Sequence, residues 1–178
     1  LTLLLLLRLG GGSLPQGART WGHLFVAAIF LTSLPFTLFA LGETRVSSAL
    51  AGIGNSITPV SMVVFGLLLL PSERLTRVKL VAVLLGFIGV LVISEPWNDV
   101  GRPDPLGFAI VLVAGACYGL GWPYVRRTLA HADLGGLAQP TALLLCGMAQ
   151  MMVVELAFWL LHRGEMRLPW SVHASATA

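Results

Sequence analysis

Long apolar stretches separated by short polar segments dominate the pattern along this chain. A membrane-spanning helix needs about 20 predominantly apolar residues, and a charge near its centre is costly. Four stretches that lack Asp, Glu, Lys and Arg are long enough to span a bilayer: residues 20–42, 46–72, 105–125 and 134–154. We expect each of them to form a transmembrane helix, the last one continuing through Glu155 to residue 161.

Two shorter apolar stretches add to this pattern. Residues 80–94 form a fifth span, which Val78 and Lys79 extend if the lysine ammonium group reaches the lipid headgroups. Residues 1–7 resemble the end of a further helix closed by Arg8, and they lack the initiator methionine and basic start of a signal peptide. The chain is therefore expected to be a fragment that begins within a helix.

The composition excludes several classes of protein. Hydrophobic residues make up 56% of the chain and charged residues 11%, against roughly 25% charged residues in soluble domains. The net charge is +3, but the basic residues form no run or amphipathic face, so a nucleic-acid partner is not expected. Cys117 and Cys146 lie in apolar stretches without a Cys/His cluster, so no disulfide scaffold, metal site or cofactor is predicted. An integral membrane protein in contact with lipids remains, and formation of a homo-oligomer stays open.

The distribution of lysine and arginine predicts the orientation. When loops are assigned alternately to the two sides, seven of these residues fall on one side and four on the other. The seven are Arg8, Arg19, Arg74, Arg77, Lys79, Arg126 and Arg127. By the positive-inside rule their side is cytoplasmic. We expect a multi-pass integral membrane protein of the bacterial inner membrane. The acidic, proline-containing segment around residues 98–104 is then an external linker between residues 1–97 and 105–178.

A proline interrupts the second predicted span. Pro59 lies near its middle, cannot donate a backbone hydrogen bond and should free the carbonyl of Asn55. Asn55, Ser56 and Thr58 are polar neighbours, and broken helices near the membrane midplane build the solute sites of transporters. Two interpretations remain open: these side chains line a substrate cavity, or they bond to neighbouring helices around a simple bend.

Prolines also occur within the spans on either side. Pro35 and Pro123 repeat the pattern, and three interior prolines in five spans suggest a bundle with a cavity. Tyr118 lies on the same predicted helix as Pro123 and could form a wall of that cavity. On this helix Gly115 and Gly119 form a GxxxG pair, which favours close helix packing.

One carboxylate lies within an apolar stretch. Glu155 is either a proton-coupling or cation-binding group, or an acid that is paired or interfacial. Gln150, about one turn deeper, could share its hydrogen bonds. His23 and His162 lie at helix ends and are expected to be interfacial rather than catalytic.

Residues 47–93 resemble the EamA-type domain of the drug/metabolite transporter superfamily. The resemblance rests on an ordered pattern: SSALAGIGNSITPVSMVVFGLLLL with its central Pro59, then the acid-base pair Glu73-Arg74, then GFIGVLVI. The following stretch, PLGFAIVLVAGACYGLGWPYVRR, resembles the start of a second copy.

This resemblance implies an all-α, polytopic helix bundle that is part of a ten-helix carrier with two inverted repeats. Residues 1–97 would hold the end of helix two and helices three to five, and residues 105–178 helices six and seven. The implied function is secondary transport of small organic metabolites by alternating access, with the solute between the repeats. The implied substrate-binding residues are Asn55, Ser56, Thr58 and Pro59 on helix four, Tyr118 on helix six and Phe36 on helix three. Glu73 and Arg74 would have a structural role in a cytoplasmic turn.

Two other classes of protein compete with a transporter. An intramembrane enzyme acting on lipid-linked substrates would use Glu155, His162 and the serines, but no recognisable catalytic motif supports it. A non-transporting subunit or dimerisation partner would explain the glycines but not the polar centre of the second span. With no catalytic motif, we do not expect an enzyme, and with no P-loop we do not expect direct coupling to ATP within this chain.

Overall fold

The computed structural model describes residues 2–74, 76–94, 104–130, 132 and 134–161, and these residues form helices and connecting turns. The α-helices are α1 (Thr2–Leu9), α2 (Ala18–Ala28), α3 (Leu34–Glu43), α4 (Ser48–Gly54), α5 (Thr58–Leu69), α6 (Arg77–Ser94), α7 (Pro105–Leu129) and α8 (Ala138–Leu161). The all-α, polytopic helix bundle predicted from the sequence is confirmed.

Four helical runs of the described residues are long and apolar enough to cross a membrane: Ala18–Glu43, Ser48–Leu69, Pro105–Leu129 and Ala138–Leu161. They correspond to the four uncharged stretches of the sequence. Helix α6 occupies the shorter fifth stretch and begins before Lys79, while α1 covers the predicted helix end at the start of the chain.

A π-helical turn joins α2 to α3 and keeps them in one continuous run. It spans Ile29–Ser33, and Pro35 follows in the first turn of α3. Proline has no N–H, and its ring would collide with the carbonyl four residues earlier, so a widened turn before it relieves the conflict. The predicted interruption at Pro35 therefore takes the form of a π-helical turn.

The second run is interrupted by a 3₁₀ turn between α4 and α5. It comprises Asn55–Ile57, and Pro59 stands in the first turn of α5. The break falls where the sequence placed it, but the Asn55 carbonyl is not free, because it accepts the N–H of Thr58. The tighter 3₁₀ bond replaces the one that Pro59 cannot donate.

Helix α7 lies at the centre of the described bundle. It packs on α2, α3, α4 and α5, whereas α8 packs on α1, α2 and the π-helical turn. Asp104 caps the start of α7 by accepting the Gly107 N–H at 3.1 Å, and Pro123 lies inside α7 without ending it. Helix α7 therefore contacts both the polar break of α4–α5 and the span α2–α3.

Small residues allow these helices to approach closely. A Cβ atom on Gly115 would lie 2.7 Å from Ile57 Cγ2, and one on Gly119 would lie 2.7 Å from the Met62 nitrogen. Both distances are shorter than real carbon contacts. The packing role predicted for the GxxxG pair is confirmed, and its partner is the broken run α4–α5.

Ion pairs connect loops at each end of the bundle. At one end Arg45 and Asp104 approach to 3.3 Å; at the other, Glu73 pairs with Lys79 and, at 3.1 Å, with Arg126. The hydrogen bond and charge of Lys79, together with those of Arg126, lower the pKa of Glu73. Each of these carboxylates links elements from both sides of the predicted linker.

Candidate functional site

The polar break of α4–α5 faces helix α7. The Thr58 hydroxyl lies 3.1 Å from Asn55 Oδ1 and 3.0 Å from the Gly115 carbonyl oxygen. The hydroxyl has one proton and can donate it to one of these acceptors at a time. Thr58 therefore connects the break both to its own 3₁₀ turn and to α7.

The four predicted residues of the break differ in exposure. Asn55 and Thr58 are half-buried, whereas Ser56 and Pro59 are exposed. The hydrogen-bonding groups at the contact with α7 are thus Asn55 and Thr58, and Ser56 presents its hydroxyl on the open side of the same turn.

Tyr118 is near this contact, three residues beyond Gly115 on α7. It is half-buried and stacks on Phe39 of α3, with ring centroids 6.4 Å apart and an interplanar angle of 28°. Phe36, the predicted aromatic residue on this helix, is 52% exposed. Phe39 is the aromatic partner that the sequence did not single out. Nearly all residues of α3 are apolar, so the sequence does not distinguish the faces of this helix.

Glu155 lies on an exposed face of α8, in an open apolar groove of about 740 Å³. The other lining residues are Ala149, Met152, Val153, Leu156 and Trp159. Gln150, which was expected to share hydrogen bonds with Glu155, bonds to Ser33 and Phe25 instead. His162, the other candidate of the enzyme hypothesis, lies outside the described residues.

A buried polar contact joins α8 to the π-helical turn, and the sequence did not predict it. The Ser33 hydroxyl donates to Gln150 Oε1, and Gln150 Nε2 donates to the Phe25 carbonyl at 2.8 Å. Ser33 and Gln150 are 7% and 8% exposed. An uncharged polar residue within each apolar stretch was the available signal, but the sequence alone does not show that the two stretches meet.

A second cavity lies among the loops at one end of the bundle. Its volume is about 380 Å³, and it is lined by Ser13, Leu14, Pro15, Gln16, Thr20, Ala132 and Leu134. His23 of α2 does not line this cavity. Its Nδ1 is 3.0 Å from the hydroxyl oxygen of Tyr124 on α7, so His23 lies at a contact between two helices. None of the predicted substrate-binding residues lines this cavity.

The described residues contain no group of three or more His, Cys, Asp or Glu side chains arranged to hold a metal ion. The groups available at the break are the Asn55 amide and the hydroxyls of Ser56 and Thr58, which can form hydrogen bonds. Such a set can bind a polar group of an organic solute.

Comparison with known proteins gives the family. The model of the EamA-like transporter family matches residues 1–95. An uncharacterized transporter of Archaeoglobus fulgidus is 33% identical over 90 residues, which are 51% of this chain and 31% of that protein. The chain thus spans about a third of the length of this curated relative. No solved structure matches the chain. Because the family model covers more than half of a chain whose long helices can span a bilayer, this chain is a multi-pass integral membrane protein that belongs to the EamA-like transporter family.

Proposed function

We propose that the chain is part of a secondary transporter of small organic metabolites that works by alternating access. One observation carries the proposal: Asn55 and Thr58 lie at a 3₁₀ break inside an apolar span, against helix α7. Irregular backbone at membrane depth is tolerated where protein or a water-filled cavity surrounds it, and transporters use such breaks to bind solutes.

In the proposed site, the Asn55 amide and the Thr58 hydroxyl bind the polar group of the solute. The Thr58 hydroxyl keeps its proton toward the Gly115 carbonyl while its lone pairs accept from the solute, so binding adds a hydrogen bond without breaking this contact. Tyr118 forms an apolar wall, supported by its stacking on Phe39. Ser56, Pro59 and Phe36 remain predicted contacts at the open margin of this site.

We further propose that residues 1–97 and 105–178 belong to two inverted repeats joined by an external linker at 98–104. The family match over residues 1–95 supports the first repeat. The ion pair Glu73–Arg126 would then join the repeats at the cytoplasmic end, and Arg45–Asp104 would join the first repeat to the end of the linker at the external end. Glu155 remains the candidate for proton coupling, and an inner-membrane location in a bacterium remains part of the proposal.

The proposal is tested by solute uptake into vesicles that contain the product of the whole reading frame. Thr58→Val keeps the shape of the side chain but removes the hydroxyl, and Asn55→Leu removes the amide. We expect each change to lower uptake at least about tenfold at equal membrane abundance, as for one lost hydrogen bond to a bound group.

Thr128→Val is the matched control. The Thr128 hydroxyl donates to the Tyr124 carbonyl within α7, at 2.8 Å and away from the break. Uptake by this variant should equal that of the wild type. Unchanged uptake by both Thr58→Val and Asn55→Leu would remove these residues from the site.

A further inference from the structure

We propose that Ser33 and Gln150 form a latch that holds α8 against the span α2–α3 and must open during transport. The inference rests on the proposed alternating access but concerns residues outside the proposed solute site. It starts from the buried contact between the Ser33 hydroxyl and the Gln150 amide.

The geometry of the latch assigns the orientation of the Gln150 amide. The Phe25 carbonyl can only accept a hydrogen bond, so the Gln150 nitrogen faces it, at 2.8 Å. The amide oxygen then faces the Ser33 hydroxyl, which donates to it. Both ends of the amide are bonded to the span α2–α3, and a small separation of α8 would break both bonds.

The local packing is shaped around this contact. Gly147 lies one turn before Gln150, and a Cβ atom at this position would be 2.7 Å from Thr32 Cγ2. The π-helical turn Ile29–Ser33 widens the opposite helix at the same level. π-Helical turns are uncommon and occur frequently at functional sites, which favours a role beyond packing.

The position of the contact in the bundle makes it a candidate for a moving joint. Among the described residues, α8 packs on α1, α2 and the π-helical turn, and buried residues of α2, α7 and α8 share one core cluster. Residues 33 and 150 also lie on opposite sides of the proposed linker. Relative movement of the two repeats therefore changes the interface that contains the latch.

Polar bonds between helices in a membrane are of modest strength, because separated groups find other partners. A modest bond suits a joint that opens repeatedly, since it biases an equilibrium without locking it. Removing the bond should then change the populations of conformations more than it changes whether the protein folds.

The test measures these populations directly in the product of the whole reading frame. A reporter cysteine replaces the exposed Ser56, in a background with Cys117→Ala and Cys146→Ala. A membrane-impermeant maleimide is applied to reconstituted protein from either side, and the ratio of the two labelling rates reports the open side. Gln150→Leu removes both latch bonds, and Ser33→Ala removes one with a minimal change in volume.

Thr37→Val is the control, because its hydroxyl bonds to the Ser33 carbonyl within its own helix at 2.8 Å. We expect Gln150→Leu and Ser33→Ala to shift the labelling ratio in the same direction, by at least about threefold, with Thr37→Val unchanged. If Gln150→Leu does not fold, the labelling ratio of Ser33→Ala alone tests the latch.

A purely structural role makes a different prediction. Both variants would then lower the thermal midpoint while leaving the labelling ratio at its wild-type value, which overturns the latch. An absence of labelling from both sides in every protein also overturns it. A shifted ratio, together with no solute uptake by the protein that retains Ser56, would keep the latch and reject the proposed function.

Discussion

The hydroxyl of Thr58 lies between an acceptor in its own turn and one on the facing helix. The sequence could locate this residue, because a proline fixes the position of the break and a polar side chain beside it is conspicuous in an apolar span. It could not decide between Phe36 and Phe39, since both are apolar and both lie on α3. That choice depends on which face of α3 meets Tyr118.

Gln150 illustrates the same limit for polar groups. From the sequence, its nearest polar neighbour was Glu155, whereas its partners are the residues Ser33 and Phe25, more than one hundred positions earlier. A helical repeat shows which residues share a face of one helix. It does not show which helix lies opposite.

Glu73 leads to a prediction on pH dependence. Its pKa is lowered from the ordinary value of 4.5, first by Lys79 and then by Arg126, so the ionised carboxylate stabilises the folded state. This contribution is fully present above about pH 4.5 and is lost as the pH falls through the lower pKa of the folded state. The thermal midpoint of the wild type should exceed that of Glu73→Gln at about pH 7, and the gap should shrink toward about pH 3.5.

The gap should also shrink in about 1 M salt, because screening weakens exposed ion pairs. A gap that is independent of both pH and salt would show that Glu73 acts through its shape alone. Thermal unfolding in detergent micelles measures both dependences.

At the scale of helices, the proline positions predicted where regular structure is interrupted but not how. Pro35 follows a π-helical turn, Pro59 follows a 3₁₀ turn, and Pro123 lies within a continuous helix. Each proline removes the same backbone bond, so the difference arises from the surroundings. At Pro35 the widened turn meets both α7 and α8, and at Pro59 the tightened turn meets α6 and α7.

The contact of α5 with α7 supports a second prediction, on stability. A Cβ atom on Gly119 would meet the backbone of Ser61 and Met62, which cannot move away by a change of rotamer. Gly119→Ala should therefore lower the free energy of unfolding by about 1–3 kcal/mol, the usual cost of overpacking.

Gly22→Ala provides the comparison, since nothing lies within 4 Å of a Cβ atom at that position of α2. It should be neutral or stabilising by up to about 1 kcal/mol, because alanine favours the helix. Equal unfolding midpoints for the two variants would contradict the close packing of α5 on α7.

For the whole molecule, the four long uncharged stretches were sufficient to predict the four helical runs of the described residues that are long and apolar enough to cross a membrane. Charge is so costly in a bilayer that the gaps between charged residues mark the helices almost directly. The arrangement of the helices was not available in the same way, because lipid-facing and helix-facing surfaces are both apolar. The glycines Gly115 and Gly119 were the exception, since small residues mark a close contact and here identify the α4–α5 face of α7.

The contacts of the central helix α7 bear on how the helices would act together. Helix α7 contacts the broken run α4–α5 through Gly115 and Gly119, whereas the Ser33–Gln150 contact joins the π-helical turn to α8. In the proposed transporter, the solute site and the Ser33–Gln150 latch therefore lie on different interfaces. A movement of α8 at the latch can then alter access to the site without dismantling it.

Counterflow in proteoliposomes is the most direct test of alternating-access transport by this protein. Vesicles containing the product of the whole reading frame are loaded with an unlabelled amino acid, nucleoside, sugar or organic cation and diluted into a trace of the same labelled compound. Alternating access predicts transient accumulation of label above equilibrium for at least one of these compounds, and its loss in Thr58→Val. Downhill equilibration without an overshoot, or no protein-dependent uptake of any of the four classes, would contradict alternating-access transport of these compounds.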